Sequence, residues 1–338
     1  MKILCLTDFP VRARRAWLWD HLPPGQDQVD FLCVQPPVDR FAGWGKILVY
    51  SSPTYWRLAW QALIRTRQAH YDIVVAWESK NGLPFACLRR LFRRPQPKLV
   101  ILFFSVKGLI MHSLPVARYA MRAVDHISVP THAEIDYYSQ LLDFPTGRIT
   151  CCPLGMYDLY AGSSDSLNSR SEPYIFAGGR SDRDYDTLVQ AASGLDLNVV
   201  INARRFNLAG IRLPPNVKVN DLMPFDQLRD TLSKAKFVVV PLQNVPHAAG
   251  LSQIVLAMSA GKAVIATATA GTIDYVEQHQ TGILVEPGNV LDLRRSIKYL
   301  TDHPIEAERM GSEARSRYEQ RHTFPRMAHR VHEILQGI

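Results

Sequence analysis

Cysteine is scarce in this 338-residue chain, and the five present, Cys5, Cys33, Cys87, Cys151 and Cys152, are odd in number with no C-x-x-C spacing. Neither a disulfide framework nor a zinc site is expected from them. Long apolar runs are missing too: the longest, around Leu99–Phe104, falls far short of the roughly 18 residues that cross a bilayer. Met1-Lys2 leads straight into a strand-like segment without a cleavage site, so a cytoplasmic location is expected. No Gly-x-Gly-x-x-Gly follows that first strand, where Thr7-Asp8-Phe9-Pro10 stands, which argues against a nicotinamide cofactor. There is no His/Cys ligand cluster, no fixed-period repeat and no low-complexity tract. What is left is an ordinary globular composition, 47% hydrophobic and 21% charged, long enough for two cores at roughly 150 residues per domain.

The net charge of +8 is unevenly placed. Residues 1–160 hold 19 Lys and Arg against 12 Asp and Glu, a net +7, whereas 161–338 hold 20 against 19, a net +1. The densest basic cluster, Arg89-Arg90-Leu91-Phe92-Arg93-Arg94, mixes cations with apolar residues, as an interfacial helix end or a surface for an anionic partner would. A solvated helix face is the alternative. Without a recognition motif or a stacking platform beside it, nucleic acid is not the expected partner.

Short apolar runs at Lys2–Leu6, Val29–Val34, Asp72–Trp77, Lys98–Phe104 and His126–Val129 alternate with helical stretches, the rhythm of a parallel, doubly wound sheet. From about Asp158 to Pro173 periodicity gives way to a serine-rich connector. The rhythm resumes at Tyr174–Ala177, Asn198–Ile201, Val217–Val219, Phe237–Val240, Ala263–Ala266 and Gly282–Val285. The fold class predicted is α/β, two Rossmann-like doubly wound domains over residues 1–160 and 173–320 joined by a linker at 161–172. A C-terminal helix over 321–338, with Pro325 in its first turn, is expected to pack back on the N-terminal domain.

Two passages carry the chemistry. In Tyr174-Ile-Phe-Ala-Gly-Gly-Arg-Ser-Asp-Arg-Asp-Tyr, paired glycines after a strand permit a tight turn, and Arg180 and Arg183 can neutralise phosphate at the adjoining helix start. Alone, such a turn is better explained as structure. In the passage from His247 to Thr267, Gly250 can expose backbone amides, Ser252 is placed as an N-cap and Gln253 in the first turn, while Gly261 ends the helix.

In order and spacing these passages resemble the C-terminal domain of GT-B glycosyltransferases of the family 4-like group (glycosyl transferases group 1). The resemblance is carried by Gly179-Arg180, then Gly250, then Ala257-Met258-Ser259-Ala260-Gly261-Lys262-Ala263-Val264-Ile265, then Gly282-Ile283-Leu284-Val285-Glu286-Pro287-Gly288. It covers about residues 173–290 and is architectural before that. It implies two domains facing a central cleft, a nucleotide-diphosphate sugar (UDP-linked, for instance) along the second, and hexose transfer to a carbohydrate or lipid-linked acceptor. By the same resemblance the diphosphate would be held by Arg180, Arg183 and the amides of Gly250, Leu251, Ser252 and Gln253, with the base near Asp221, Leu222 and Met223. The family's paired glutamates fall at Ala248 and Leu256, so this chain lacks both. A non-catalytic binder of nucleotide sugars or glycans is therefore the competing reading, and an epimerase of the same architecture would need more carboxylates than are present.

No Asp-x-Asp stands in a metal-binding loop. Asp182-Arg183-Asp184 has the letters but lies in the cradle, where capping of the next helix is the preferred reading, so transfer without metal or other cofactor is predicted. In the first domain, ligands of open α/β sheets gather at the carboxyl ends of strands, which points to Asp8, Glu78, Ser105, Lys107 and His132. Relatives often carry a histidine after the fourth strand; here that position reads Phe-Phe-Ser-Val-Lys-Gly, with His112 the nearest substitute. Asp8 and Glu78 could act as base for an acceptor hydroxyl, or serve as caps or ion-pair partners. The aromatics Trp17, Trp19, Trp44, Tyr50, Tyr55, Trp56 and Trp60 could stack on sugars or lie at a lipid interface, with core packing as the alternative. The basic first half leaves room for peripheral association with the inner membrane surface.

Overall fold

Strands with both faces covered read as continuous apolar runs, and the first strand, β1 (Lys2–Thr7), is buried over all but its first residue. A computed structural model describes residues 1–9, 17–22, 27–35, 53–106, 114–158, 160, 173–221 and 223–338. By their contacts these residues divide into two units: 1–153 with 327–338, and 154–326. The expected linker at 161–172 lies outside the described residues.

In the first unit β1, β2 (Gln28–Cys33), β3 (Ile73–Trp77), β4 (Lys98–Leu102), β5 (His126–Val129) and β6 (Ile149–Cys151) form one sheet in the order β2-β1-β3-β4-β5-β6. Each adjacent pair runs parallel, with Ile3 opposite Ile73 and Leu4 opposite Val74 across β1 and β3. Helices α1 (Pro53–Gln68), α2 (Glu78–Leu91), α3 (Leu114–Met121) and α4 (Ala133–Leu142) supply the covering layers. Leu58, Ala62, Leu83, Phe85, Ala117 and Tyr138 pack with the strand residues Leu4, Val74 and Ile101 in one core. The strand order reverses between β1 and β3, so the crevice where a doubly wound sheet admits ligands opens beside the ends of these two strands.

The second unit holds β7 (Tyr174–Gly178), β8 (Asn198–Asn202), β9 (Val217–Asn220), β10 (Val238–Val240), β11 (Val264–Thr267) and β12 (Gly282–Val285), in the order β12-β11-β10-β7-β8-β9. All adjacent pairs are again parallel. This is the dinucleotide-fold order, and its reversal falls between β7 and β10. Helices α5 (Tyr185–Ala192), α6 (Phe225–Lys234), α7 (Leu251–Ser259), α8 (Val290–Asp302) and α9 (Pro304–Arg317) flank the sheet. One core lies on each face: Ile175, Leu188, Val239 and Ile297 on one, and Phe176, Val240, Ile254 and Tyr318 on the other. The final helix α10 (Phe324–Gln336) has Pro325 in its first turn; residues from Met327 onward group with the first unit, where His332 Nδ1 lies 3.2 Å from Asp27 Oδ2.

The α/β class with two parallel doubly wound sheets is as the sequence predicted. The sixth strand of the first sheet, β6, is an addition, three residues long and too short to show a period.

Candidate functional site

At the switch point of the second sheet, the turn after β7 and the start of α7 converge. Gly179 has φ +117°, a conformation strained for any L side chain, and a Cβ there would run into the Arg183 guanidinium. Arg183 lies folded beneath the turn: Nε donates to the Gly178 carbonyl and Nη1 to that of Ser181, both at 2.8 Å. Burial holds this guanidinium below its ordinary pKa. The Tyr185 hydroxyl, itself pushed up to about 12 chiefly by burial, donates to the Gly179 carbonyl at 2.7 Å. Arg183 is thus a fixed positive charge under the glycine turn, whereas Arg180 is exposed, its carbonyl taking a 2.7 Å bond from Asn207 Nδ2.

Of the two carboxylates in Asp182-Arg183-Asp184, Asp184 caps α5, accepting from Thr187 N at 3.1 Å. Asp182 has φ +58° and faces His247, with Nε2 and Oδ2 3.3 Å apart. Gln243 N donates to the Asp182 carbonyl at 3.0 Å, so the loop after β7 is tied to the loop after β10 along main chain and side chain alike.

The start of α7 differs from expectation. Its N-cap is Gly250, not Ser252: Gly250 turns the chain at φ +78°, and its carbonyl accepts from Gln253 N at 2.9 Å and Ile254 N at 3.1 Å. The sharp left-handed turn starts the helix two residues earlier and leaves Ser252 exposed in its first turn. Leu251 is buried. Gln253, 8% exposed, reaches back to β7, where a Cβ on Gly178 would meet its Oε1 at 2.7 Å; its Nε2 is buried with no partner among the described residues. An orphaned amide donor beside orphan helix amides is a concentration of unsatisfied positive dipole. Gly261 closes α7 as expected, in a Schellman arrangement with Lys262 N on the Ala257 carbonyl and Gly261 N on that of Met258.

A residue that sequence reasoning missed joins the third segment to these two. Asn202, buried at the end of β8, accepts from Gly179 N through its carbonyl at 3.2 Å and from Met223 N through Oδ1 at 3.0 Å. Met223 is therefore held against the same strand ends, and Asp221 is exposed. Leu222 lies outside the described residues.

In the first unit Asp8 and Glu78, from the ends of β1 and β3, share one ammonium. Lys80 Nζ lies 2.7 Å from Asp8 Oδ2 and 2.9 Å from Glu78 Oε2. Burial works against the Lys80 charge, but Glu78 and Asp8 outweigh it and its pKa is raised. Tyr55 is a buried member of this group, its hydroxyl donating to Asp8 Oδ2 at 3.3 Å, and burial, with Asp8 beside it, pushes it up to about 12. Glu78 itself has φ +62°. Lys80, two residues past Glu78, is a member of this group that the sequence alone did not single out. Ser105 accepts through its carbonyl from Ser79 Oγ, and His132 is exposed ahead of α4. Lys107, His112, Trp44 and Tyr50 lie outside the described residues. Trp19 meets Phe31 edge-on, and Trp56 and Trp60 are exposed on α1. Among the described residues no group of three or more His, Cys, Asp or Glu side chains is placed to hold a metal ion.

Residues 208–317 match the family described as glycosyl transferases group 1, and the folds of solved GT-B glycosyltransferases match both units. The chain is 28% identical over 138 residues to the D-rhamnosyltransferase WbpZ of Pseudomonas aeruginosa, an alignment covering 40% of this chain and 34% of that protein. It therefore spans about a third of the length of that relative. Sucrose-phosphate synthase of Thermosynechococcus elongatus superposes with a TM-score of 0.76 at 16% identity, covering 100% of this chain and 99% of that one. Anabaena HepE, solved in complex with UDP-glucose, superposes with a TM-score of 0.73 at 16% identity over 100% of both chains.

Proposed function

We propose that the protein is a glycosyltransferase that moves a hexose from a nucleotide-diphosphate sugar to a carbohydrate or lipid-linked acceptor, in the cytoplasm and without a metal ion. The observation that carries this is the convergence, at the switch point of the second sheet, of the Gly178–Gly179 turn, the amide end of α7 and the orphaned Gln253 Nε2. A diphosphate is the ligand such a place suits: helix-end amides and Gln253 Nε2 donate to its oxygens, Arg183 lends charge from beneath, and Arg180 is exposed to close on it. As the glycosidic bond ionises, the same groups stabilise the leaving diphosphate, the task a divalent ion would otherwise perform. On the first unit Asp8 and Glu78 are the carboxylates that could take the acceptor proton, with Lys80 setting their position.

A non-catalytic binder is the second reading, supported by Ala248 and Leu256, where the glutamate pair would stand. Leu256 is buried and belongs to the same apolar cluster as Ile254, Val255 and Ala257, surroundings that penalise a charge. One experiment separates the readings. The protein and its Arg180→Ala variant are titrated calorimetrically with UDP, GDP, ADP and their common hexose conjugates, and donor consumption is then followed with an acceptor panel. Binding of one nucleotide, lost in the variant and followed by turnover, supports transfer. Binding without turnover selects the binder, and no binding at all removes both.

A further inference from the structure

The amino edge of the first sheet carries a charge concentration that the donor and acceptor readings leave unused. Residues 79–124 contain nine Lys and Arg and no Asp or Glu. The fold gathers five of the six arginines of this stretch, together with Arg148, around an open cavity of about 560 Å³ lined by Arg89, Arg90, Arg93, Arg94, Arg122 and Arg148, with Asp125 its one carboxylate. Arg89, 4% exposed, neutralises that carboxylate: Nη1 lies 2.7 Å from Asp125 Oδ2 and donates to the Ala123 carbonyl at 2.7 Å, while Nε donates to that of Arg94 at 2.8 Å. Six positive charges less one leave the corner at +5. Among the described residues Arg89 is the only one of the six in an ion pair. Arg93, Arg94, Arg122 and Arg148 are exposed, and five guanidinium groups without carboxylates repel one another unless an anion sits among them.

Beside the arginines runs an apolar ledge. Trp56, Trp60 and Ile64 recur every fourth residue of α1 and so share one face. Trp60 is 47% exposed and meets Phe92 edge-on with centroids 5.9 Å apart, and Leu91 next to it is 65% exposed. Cations are interleaved with the rings: Arg67 lies over Phe92 at 5.4 Å, Arg90 over Tyr119 at 4.6 Å, and α1 contains no acidic residue. Arginines set against exposed tryptophan, phenylalanine and leucine match the boundary of a phospholipid bilayer, where phosphates lie just above the first methylenes. A nucleic acid would reward the arginines but not the exposure of Leu91 and Ile64.

From this we infer that the corner is a docking surface for an anionic phospholipid bilayer, with Arg90, Arg93, Arg94, Arg122 and Arg148 on lipid phosphates and Trp60, Leu91 and Phe92 among the headgroups. No described helix is long and apolar enough to span a membrane, so the contact is peripheral. The corner precedes β4, β5 and β6, at the edge of the sheet opposite Asp8 and Glu78, so a bilayer there leaves the carboxyl edge open. The inference rests on the first unit alone and stands or falls apart from the donor-site reading.

The test is cosedimentation of the whole chain with vesicles of phosphatidylcholine alone, or with about 30 mol% phosphatidylglycerol added. Binding should require the anionic lipid and weaken in high salt. Arg93→Gln/Arg94→Gln/Arg122→Gln should weaken it by on the order of a hundredfold, at roughly fivefold per arginine, with the thermal midpoint unchanged because all three side chains are exposed. Trp60→Ser should weaken it as well and diminish the blue shift of tryptophan emission on vesicle addition. Equal binding to neutral vesicles, an unaffected triple variant, or binding of an RNA oligomer or of soluble pyrophosphate in place of vesicles would each overturn the inference.

Discussion

His247 Nε2 stands 3.3 Å from Asp182 Oδ2, and both side chains are largely buried between the loops that follow β7 and β10. Asp182 holds a left-handed backbone that asparagine also tolerates, so Asp182→Asn removes charge without adding strain. A pair in contact that carries energy is non-additive. Asp182→Asn and His247→Ala, measured singly and together by urea unfolding at pH 6, should show a coupling of roughly 0.5–1.5 kcal/mol. The same variants should weaken nucleotide binding more than they lower stability, because the link sets the spacing of the two loops. Additive effects within about 0.3 kcal/mol would mean that the two side chains are merely neighbours.

Gly250 and Gly261 bracket α7 and make different demands. Both have positive φ, +78° and +65°, but a Cβ on Gly250 would meet Val240 Cγ1 at 2.9 Å and Leu242 Cδ1 at 3.1 Å, whereas on Gly261 the nearest atoms are 3.9 Å away. Gly261→Ala should cost the left-handed penalty alone, about 1 kcal/mol. Gly250→Ala adds overlap with a buried strand and should cost roughly 2–4 kcal/mol. Chemical denaturation of the two variants measures the difference directly, and equal costs would contradict this account of the helix start.

Much of this arrangement was legible in the sequence because it rests on short-range rules. The Val- and Ile-rich runs marked eleven of the strands, and Gly179, Gly250 and Gly261 marked turns that need φ above zero. What was hidden depends on which strands lie side by side. That β7 is neighbour to β10 follows from the sheet order, and only this order brings His247 to Asp182 and Gln253 to Gly178. Asn202 looked like the polar end of a strand, yet it joins two segments through bonds formed 21 or more residues apart in the chain. Ser252 was misplaced as a cap because side-chain preference favours serine, while the backbone turn at Gly250 determines where α7 begins. Arg183 likewise reads as a ligand-facing cation, and its two carbonyl acceptors are visible only in the folded turn.

Lys80 neutralises two carboxylates, the buried Asp8, which also accepts from Tyr55, and the half-exposed Glu78. Lys80→Met keeps most of the length of the side chain and removes its charge. At pH 7 the variant should lose about 1–3 kcal/mol, less than a fully buried pair would because Lys80 is partly exposed. The double variant Asp8→Asn/Lys80→Met should recover part of that loss, because one of the two carboxylates that need a counter-charge is gone. Urea midpoints of the single and double variants at pH 7 give the comparison, and a loss equal in both would assign it to packing.

The buried His322 sets a pH window for the second unit. Its ring stacks on Tyr275 with centroids 4.8 Å apart, and its Nδ1 lies 3.1 Å from the Leu154 carbonyl. Burial pushes its pKa down to about 4; the Leu154 carbonyl favours the charged form, while nearby Arg321 and Arg317 oppose it. Since the unfolded chain titrates near 6.5 and the folded one near 4, the unfolded state binds more protons between those values. The neutral ring's contribution is therefore complete above pH 6.5 and lost as pH falls toward 4, a change on the order of 3 kcal/mol. His322→Gln should be less stable than the natural chain at pH 7 and should approach it, or overtake it, near pH 4. Thermal or urea unfolding of both proteins across that range measures the gap, and a gap that stays constant would show that His322 is protonated in the folded state at the same pH as in the unfolded chain.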